Sequence, residues 1–290
     1  MKTPVAVLGL GIMGSGMARR LVSSGFPLSV YSRSREKAAP FAELGVYLAD
    51  SPRQAAERAD VVISMVSDDT ASRAVWMGDA GALAGARRGS VLIESSTLTV
   101  AWIKELAEAS SQRDLEFLDA PVTGTKPHAE SGQLLFLVGG SANAVEVARP
   151  VLSALGRGIV HLGPTASGAL MKLINNFMAA VQTVSFGEAL ALIKAGDLDV
   201  DKALSILTEG VPGSPMVKRV TTRVTSGDYT PHFFLRLMTK DVSYAVEEAK
   251  SRGVPMPTAE AALSVFRQAQ ANGYSEQDFT AVIQSLKPKK

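Results

Sequence analysis

From residue 4 to about 163 the chain alternates between two patterns. Seven short apolar runs (VAVLGL, LSVYSR, VVISMV, SVLIES, LEFLDA, LLFLVGG and GIVHLG) are separated by stretches whose apolar residues recur at helical spacing. Runs that are apolar on both faces suit strands covered on both sides. Between them, GSGMARRLVSSG places Met17 and Leu21 one turn apart and ends on Gly25, a helix-stop signal; SREKAAPFAEL, SPRQAAERA, TASRAVW, VAWIKELAEASSQ and ANAVEVARPVLSAL read similarly. This alternation predicts an α/β fold with a right-handed, mostly parallel, doubly wound sheet of Rossmann type. After Gly163 the strand signals stop. A periodic run from about Ser167 to Ala195 predicts a helix roughly 40 Å long, followed by helices near 199–209, 235–252, 258–271 and 277–286. Gly213, Pro215, Pro231, Pro255 and Pro257 fall in the intervening loops. The expected organisation is a sheet domain over 1–163, a long connecting helix over 164–195 and a small all-α domain over 196–290, with a cleft between the two bodies.

Composition narrows the chemistry. With 290 residues, 46% of them hydrophobic, the chain can bury a substantial core as a soluble globular protein. A net charge of +2 and a single basic run, Lys287-Pro288-Lys289-Lys290, which reads as a solvated tail, argue against nucleic acid as a partner. There is no cysteine, and His128, His161 and His232 are scattered, so thiolate catalysis is excluded and no metal site is expected. The opening MKTPVAVLGLGIMG superficially suggests a signal peptide, but its apolar run is too short and too glycine-rich; it reads as a buried strand entering a turn. No segment approaches the roughly 20 apolar residues of a membrane span, so no membrane partner and a cytoplasmic location are expected.

Gly9-Leu10-Gly11-Ile12-Met13-Gly14 matches G-x-G-x-x-G directly after the first strand and at the opening of the first helix. The first glycine makes the tight turn, the second lets a pyrophosphate approach the backbone, and the third lets helix and strand pack closely. These residues are expected to hold a dinucleotide. NAD-selective versions place a carboxylate about 20 residues beyond the turn. Here the second strand ends in Tyr31-Ser32-Arg33-Ser34-Arg35, with no carboxylate before Glu36. Guanidinium and hydroxyl groups suit a 2′-phosphate, so Ser32, Arg33 and Ser34 favour NADP(H), with NAD(H) possible; the bland alternative is that Arg33 and Arg35 are solvated loop charges. Met65, Val66 and Ser67 follow the strand VVIS and should line the dinucleotide at the carboxyl edge of the sheet.

Four segments together resemble the β-hydroxyacid dehydrogenase family: the glycine turn; ESSTLT (94–99), like its D-x-S-[ST] segment; DAPVTGTKPHAESGQL (119–134), like its D-A-P-V-S-G-G pattern; and GPTASGALMKLINN (163–176), like G-x-x-G-x-G-x-x-x-K-x-x-x-N. A fifth, KDVSYAVEEA (240–249), is similar to the family's K-D segment, and PVTGTKPHAESGQL with the ending DFTAVIQSL is most similar to the glyoxylate and succinic semialdehyde reductase branch. The resemblance implies hydride transfer between a nicotinamide and a small carboxylate-bearing aldehyde or hydroxyacid, with Lys172 as acid/base. Lys172 and Asn176 are spaced i, i+4 and share a helix face, although a lysine on a helix, taken alone, is usually a solvated surface residue. Asn176 would orient the lysine or the substrate oxygen. Ser96 and the Thr123-Gly124-Thr125 loop would supply donors to the substrate carboxylate, glycine letting backbone amides reach an anion. Thr97 would lie against the cofactor, and Lys240 near the cofactor or the substrate. Phe233 and Phe234 would wall the cleft or simply pack the core.

The chain departs from the family pattern at Thr123 and Thr125 in the S-G-G segment, at Glu94 in place of the aspartate, and at Val100 in place of a proline. Other readings are another β-hydroxyacid dehydrogenase, of 3-hydroxyisobutyrate or tartronate semialdehyde type, an NADPH-dependent imine reductase, and a non-catalytic NADP-binding sensor. Imine reductases generally lack the lysine. The apolar faces of the long helix imply a homodimer or homotetramer.

Overall fold

In the computed structural model, which describes residues 2–286, the first apolar run becomes β1 (Val5–Leu8), buried along its whole length. The elements then follow in order: α1 (Ile12–Ser23), β2 (Leu28–Tyr31), α2 (Arg35–Ala42), β3 (Tyr47–Leu48), α3 (Pro52–Ala56), β4 (Val61–Ser64), α4 (Asp69–Trp76), α5 (Ala82–Gly85), β5 (Val91–Glu94), α6 (Val100–Ser111), β6 (Glu116–Asp119), β7 (Val122–Thr123), α7 (Lys126–Ser131), β8 (Leu134–Gly140), α8 (Ala142–Leu155) and β9 (Gly156–Gly163). The sheet order is β3-β2-β1-β4-β5-β6-β8-β7, with β9 on β8. Pairing is parallel from β3 through β6 and between β8 and β9, and antiparallel where β8 meets β6 and β7. The chain reverses its direction of travel across the sheet between β1 and β4, whose carboxyl ends deliver Gly9 and Met65. Such a switch point is where open α/β sheets bind ligands.

The remaining elements are helical: α9 (Ser167–Ala195), α10 (Val200–Glu209), α11 (Pro215–Ser226), α12 (Leu235–Ser251), α13 (Pro257–Ala271) and a 3₁₀ helix (Phe279–Leu286). The chain divides into two compact units, Met1–Lys172 and Leu173–Lys290, and the division falls inside α9. In the first, Met17, Leu21, Val30, Ile63, Ile93 and Phe136 are core residues between sheet and helices. In the second, Ala180, Val220, Leu235, Val242, Phe266 and Val282 form a separate core.

Four sequence expectations need correction. Pro215 does not sit in a loop: it opens α11 behind Ser214, whose side chain caps the helix by accepting from Val217 N at 3.1 Å. The segment's β-branched residues have weak helix propensity, but Val217 and Val220 are buried at helical spacing, and tertiary packing decides the outcome. Pro257 likewise opens α13, and the expected helix over 277–286 is a 3₁₀ helix. Finally, α9, with 29 residues and a mean hydropathy of 1.3 over its best window, is by length and composition long enough to cross a membrane, contrary to the sequence reading. Half of that window is buried inside the protein, as in a core helix. The basic tail 287–290 lies outside the described residues.

The start of α9 is packed against β8 and the end of β6. A Cβ on Gly168 would lie 2.2 Å from the Leu137 carbonyl oxygen and 2.7 Å from that of Asp119. Backbone cannot yield as a side chain can, so Gly168→Ala should lower unfolding stability by about 2 kcal/mol or more, measured by urea denaturation. An unchanged midpoint would show that the helix start is free to move.

Candidate active site

The glycine turn is built as its spacing requires. Gly9 holds φ +100°, and a Cβ there would lie 2.4 Å from the Met65 carbonyl oxygen; one on Gly14 would lie 1.9 Å from that of Gly9. A Cβ on Gly11 would meet nothing within 4 Å. Its open side leaves a cradle at the N-terminus of α1, where the first-turn amides have no intrahelical acceptors. Leu10 is buried, and Met13 packs on the core. These features fit a pyrophosphate held on main-chain N–H groups. Beside the turn opens a groove of about 360 Å³ lined by Gly11, Ile12 and Ser15, by three cations, Arg19, Lys37 and Lys126, and by Glu130, which lies 3.8 Å from the Lys126 ammonium. The sequence reading missed these cations, because α1, α2 and α7 bring them together only in three dimensions.

The two arginines after β2 have different roles. Arg35 is bound to Asp50 at 2.6 Å. Arg33 is exposed, and among the described residues its side chain makes no hydrogen bond or ion pair. Ser32 and Ser34 flank it, half-buried.

Ser96 is buried, and Val66 N donates to its Oγ at 2.8 Å, joining the loop after β5 to the Met65–Ser67 loop after β4. Behind it lies Glu94, fully buried. Its Oε2 accepts from Ser72 Oγ (2.6 Å) and Trp76 Nε1 (2.8 Å), and its Oε1 from Ser96 N (2.9 Å), while Trp102 Nε1 donates to Ser72 Oγ (2.9 Å). Burial pushes the Glu94 carboxyl above its ordinary range, and these donors pull it back. Glu94 is thus more than a variant of the family aspartate: it holds Ser96 and Trp76 directly, and Trp102 through Ser72. Thr97, next in sequence, is half-buried.

In the Thr123–Thr125 loop, Gly124 has φ +135°. Thr125 N donates to His128 Nδ1 at 3.2 Å, and Thr125 Oγ1 lies 2.9 Å from the same nitrogen. One of the amides expected to face an anion is therefore already engaged by His128, a partner the sequence reading did not anticipate. The neighbouring strand end, Asp119, is fully buried and accepts from Ala166 N (2.7 Å) and Ala169 N (2.8 Å) at the head of α9. Burial lifts its carboxyl to about 6 against the pull of these amides.

Lys172 lies on the second turn of α9, half-buried. Asn176, one turn further, is buried; its Nδ2 donates to Asp241 Oδ2 at 2.6 Å, and its Oδ1 accepts from Asn175 Nδ2 at 2.9 Å. Asp241, also buried, pairs through Oδ1 with Lys240 Nζ at 2.8 Å, and that ammonium lies 4.6 Å from the Tyr244 ring centre. Asn176 and Lys240 are thus joined through a carboxylate that the sequence reading passed over, although it stands in the K-D pair. Phe233 packs edge-on against Phe279 with ring centres 6.0 Å apart, on the core of its own unit, and the Arg236 guanidinium lies 4.8 Å from the ring centre of Phe234.

Two family models match the chain: the NAD-binding domain of 6-phosphogluconate dehydrogenase over residues 4–163, and the NAD-binding domain of NADP-dependent 3-hydroxyisobutyrate dehydrogenase over residues 166–286. The chain is 34% identical to the NAD-dependent L-serine dehydrogenase of Pseudomonas aeruginosa, over 98% of each chain. It is 33% identical to glyoxylate/succinic semialdehyde reductase 1 of Arabidopsis thaliana, again over 98% of each. Its structure is similar to that of 3-hydroxyisobutyrate dehydrogenase from Mycobacterium tuberculosis, solved with L-serine, with a TM-score of 0.91 and 30% identity over 99% of this chain and 100% of the other.

The Glu94 network makes a direct prediction. Ser72→Ala removes the hydroxyl that accepts from Trp102 and donates to Glu94, leaving two buried polar groups short of a partner. Unfolding stability should fall by about 1–3 kcal/mol and tryptophan emission should shift. Wild-type stability and emission in the variant would show that the network is dispensable.

Proposed function

Because this chain belongs to the β-hydroxyacid dehydrogenase family, whose members are NAD(P)-dependent oxidoreductases, we propose that it reduces a small carboxylate-bearing aldehyde, such as glyoxylate or succinic semialdehyde, to the hydroxyacid with NADPH, or runs the reverse oxidation. The observation that carries this reading is the pair Lys172 and Asn176, one turn apart on α9, with Asn176 buried and held by Asp241. The bound nicotinamide supplies or accepts the hydride. Lys172 delivers the proton to the carbonyl oxygen in reduction and takes it from the hydroxyl in oxidation. Asn176, oriented by Asp241, aligns that oxygen or the lysine. Thr123 and Gly124 offer donors to the substrate carboxylate, Thr125 being engaged by His128, and Ser96 joins the loop after β5 to the Met65–Ser67 loop. The glycine turn with Met65–Ser67, Thr97 and Lys240 holds the cofactor. The exposed Leu192 and Ile206 of the helical unit support assembly as a homodimer or homotetramer.

NADP preference rests on Arg33, which keeps its charge unspent while Arg35 is bound to Asp50. A second reading, NAD-linked oxidation of another β-hydroxyacid, is favoured by the similarity to the NAD-dependent L-serine dehydrogenase.

Both can be tested by following oxidation of NADPH and NADH with glyoxylate and succinic semialdehyde. Lys172→Ala should lower kcat by about 10²–10⁴-fold while leaving NADPH binding intact; wild-type turnover in this variant would end the acid/base assignment. Arg33→Asp should weaken NADPH by about tenfold or more, and NADH far less. Unchanged NADPH affinity would return the protein to the NAD-linked reading.

A further inference from the structure

The head of α9 is held more tightly than a helix start requires. Ala166, the residue before the helix, lies at φ +76°, a left-handed conformation that disfavours a side chain, and in it the N–H reaches Asp119 Oδ1 at 2.7 Å. Ala169 N donates to the other carboxylate oxygen at 2.8 Å. The packing leaves no room for adjustment: a Cβ on Gly139 would lie 2.5 Å from Asp119 Oδ1, and one on Gly168 would lie 3.0 Å from Oδ2. Lys172 follows Ala169 by three residues, about 4.5 Å along the axis.

We propose that Asp119 is a positioning residue for Lys172: it fixes the first turn of the helix that carries the lysine, and its charge at the positive end of that helix helps the lysine keep its proton. The inference rests on the reading of Lys172 as the acid/base. The amide dipoles of a helix N-terminus favour loss of a proton from a nearby ammonium, and an anion capping that end opposes them. The groups on the Asp119 carboxylate are the N–H groups of Ala166, Gly168 and Ala169 at the head of α9, with Gly139 of β8 packed against it; its neighbour in the β5–β6 ladder is Glu94. Only Glu94 among these is ionisable, and its carboxylate is bound by Ser72, Trp76 and Ser96. A carboxyl titrating at about 6 is charged at neutral pH.

The test uses Asp119→Asn in the full chain, with NADPH and whichever of glyoxylate and succinic semialdehyde the wild type turns over faster. The expected result is a kcat at least about tenfold lower with NADPH affinity retained, and an alkaline limb of the kcat profile moved to lower pH by about half a unit or more. An unmoved limb overturns the proposal whatever happens to the rate, because a purely structural defect lowers turnover at every pH alike. Should the variant not fold, the reciprocal measurement decides: the Asp119 carboxyl is titrated by carbon-13 NMR in the wild type and in Lys172→Ala. Coupling between the two groups requires the Asp119 midpoint to rise when the lysine charge is removed; an unchanged midpoint overturns the proposal. If Lys172→Ala keeps full turnover, the acid/base reading itself has failed. If that variant is inactive and Asp119 shows no coupling, only the present inference falls.

Discussion

A helix that begins inside a protein must find acceptors for its first N–H groups, and in α9 that need is met by one buried carboxylate. Asp119 stands at the last residue of β6, and its two oxygens take the amides of Ala166 and Ala169. Everything near this contact is shaped around it. Gly139 of β8 and Gly168 of α9 have no space for a Cβ, and Ala166 accepts a left-handed backbone. The position of Lys172 along the helix follows from where the helix starts.

The adjacent strand solves a similar problem with a different geometry. Glu94 ends β5 as Asp119 ends β6, and the two are partners in the parallel ladder. The longer side chain of Glu94 turns to Ser72 and Trp76 of α4, with its other oxygen on the amide of Ser96. Two neighbouring strand ends therefore carry buried anions that fix the chain leaving the sheet, one holding a loop and the other a helix. Both act mainly through main-chain or indole N–H donors, which bind a charged carboxylate more strongly than a neutral acceptor. This places the rigid parts of the site on elements rather than on free loops.

The sheet was legible because its main strands are short, largely apolar and evenly spaced; α8 and β8 coincide with ANAVEVARPVLSAL and LLFLVGG, whereas β9 starts ahead of GIVHLG and the very short β3 and β7 carried no such signal. The helix α11 was not, because its valines and threonines have weak propensity and its capping serine precedes a proline that reads equally well as a loop. For the site, motif spacing pointed to the turn glycines Gly9, Gly11 and Gly14, whereas Lys172 and Asn176 were singled out by the family resemblance, spacing adding only that they share a helix face. It gave no hint that Asp241 would hold Asn176, a contact 65 residues apart in sequence, or that His128 would engage Thr125. Spacing shows which residues share an element. Partners across elements depend on the fold.

The buried acid of Asp119 also has an energetic consequence. Its folded-state value of about 6 lies above the ordinary 3.8. A raised carboxyl stabilises the fold below the unfolded value, and that contribution is lost as pH rises through the folded one, so between about pH 4 and 6 the native state surrenders about 3 kcal/mol at about 1.4 kcal/mol per unit. At neutral pH the protein keeps this carboxylate ionised at a cost in stability. A neutral side chain of similar shape would avoid that cost but would neither accept from both amides nor place a charge at the head of α9. Stability given up at this buried position, at the head of the helix that carries Lys172, is what the proposed proton-transfer role would favour over maximal stability.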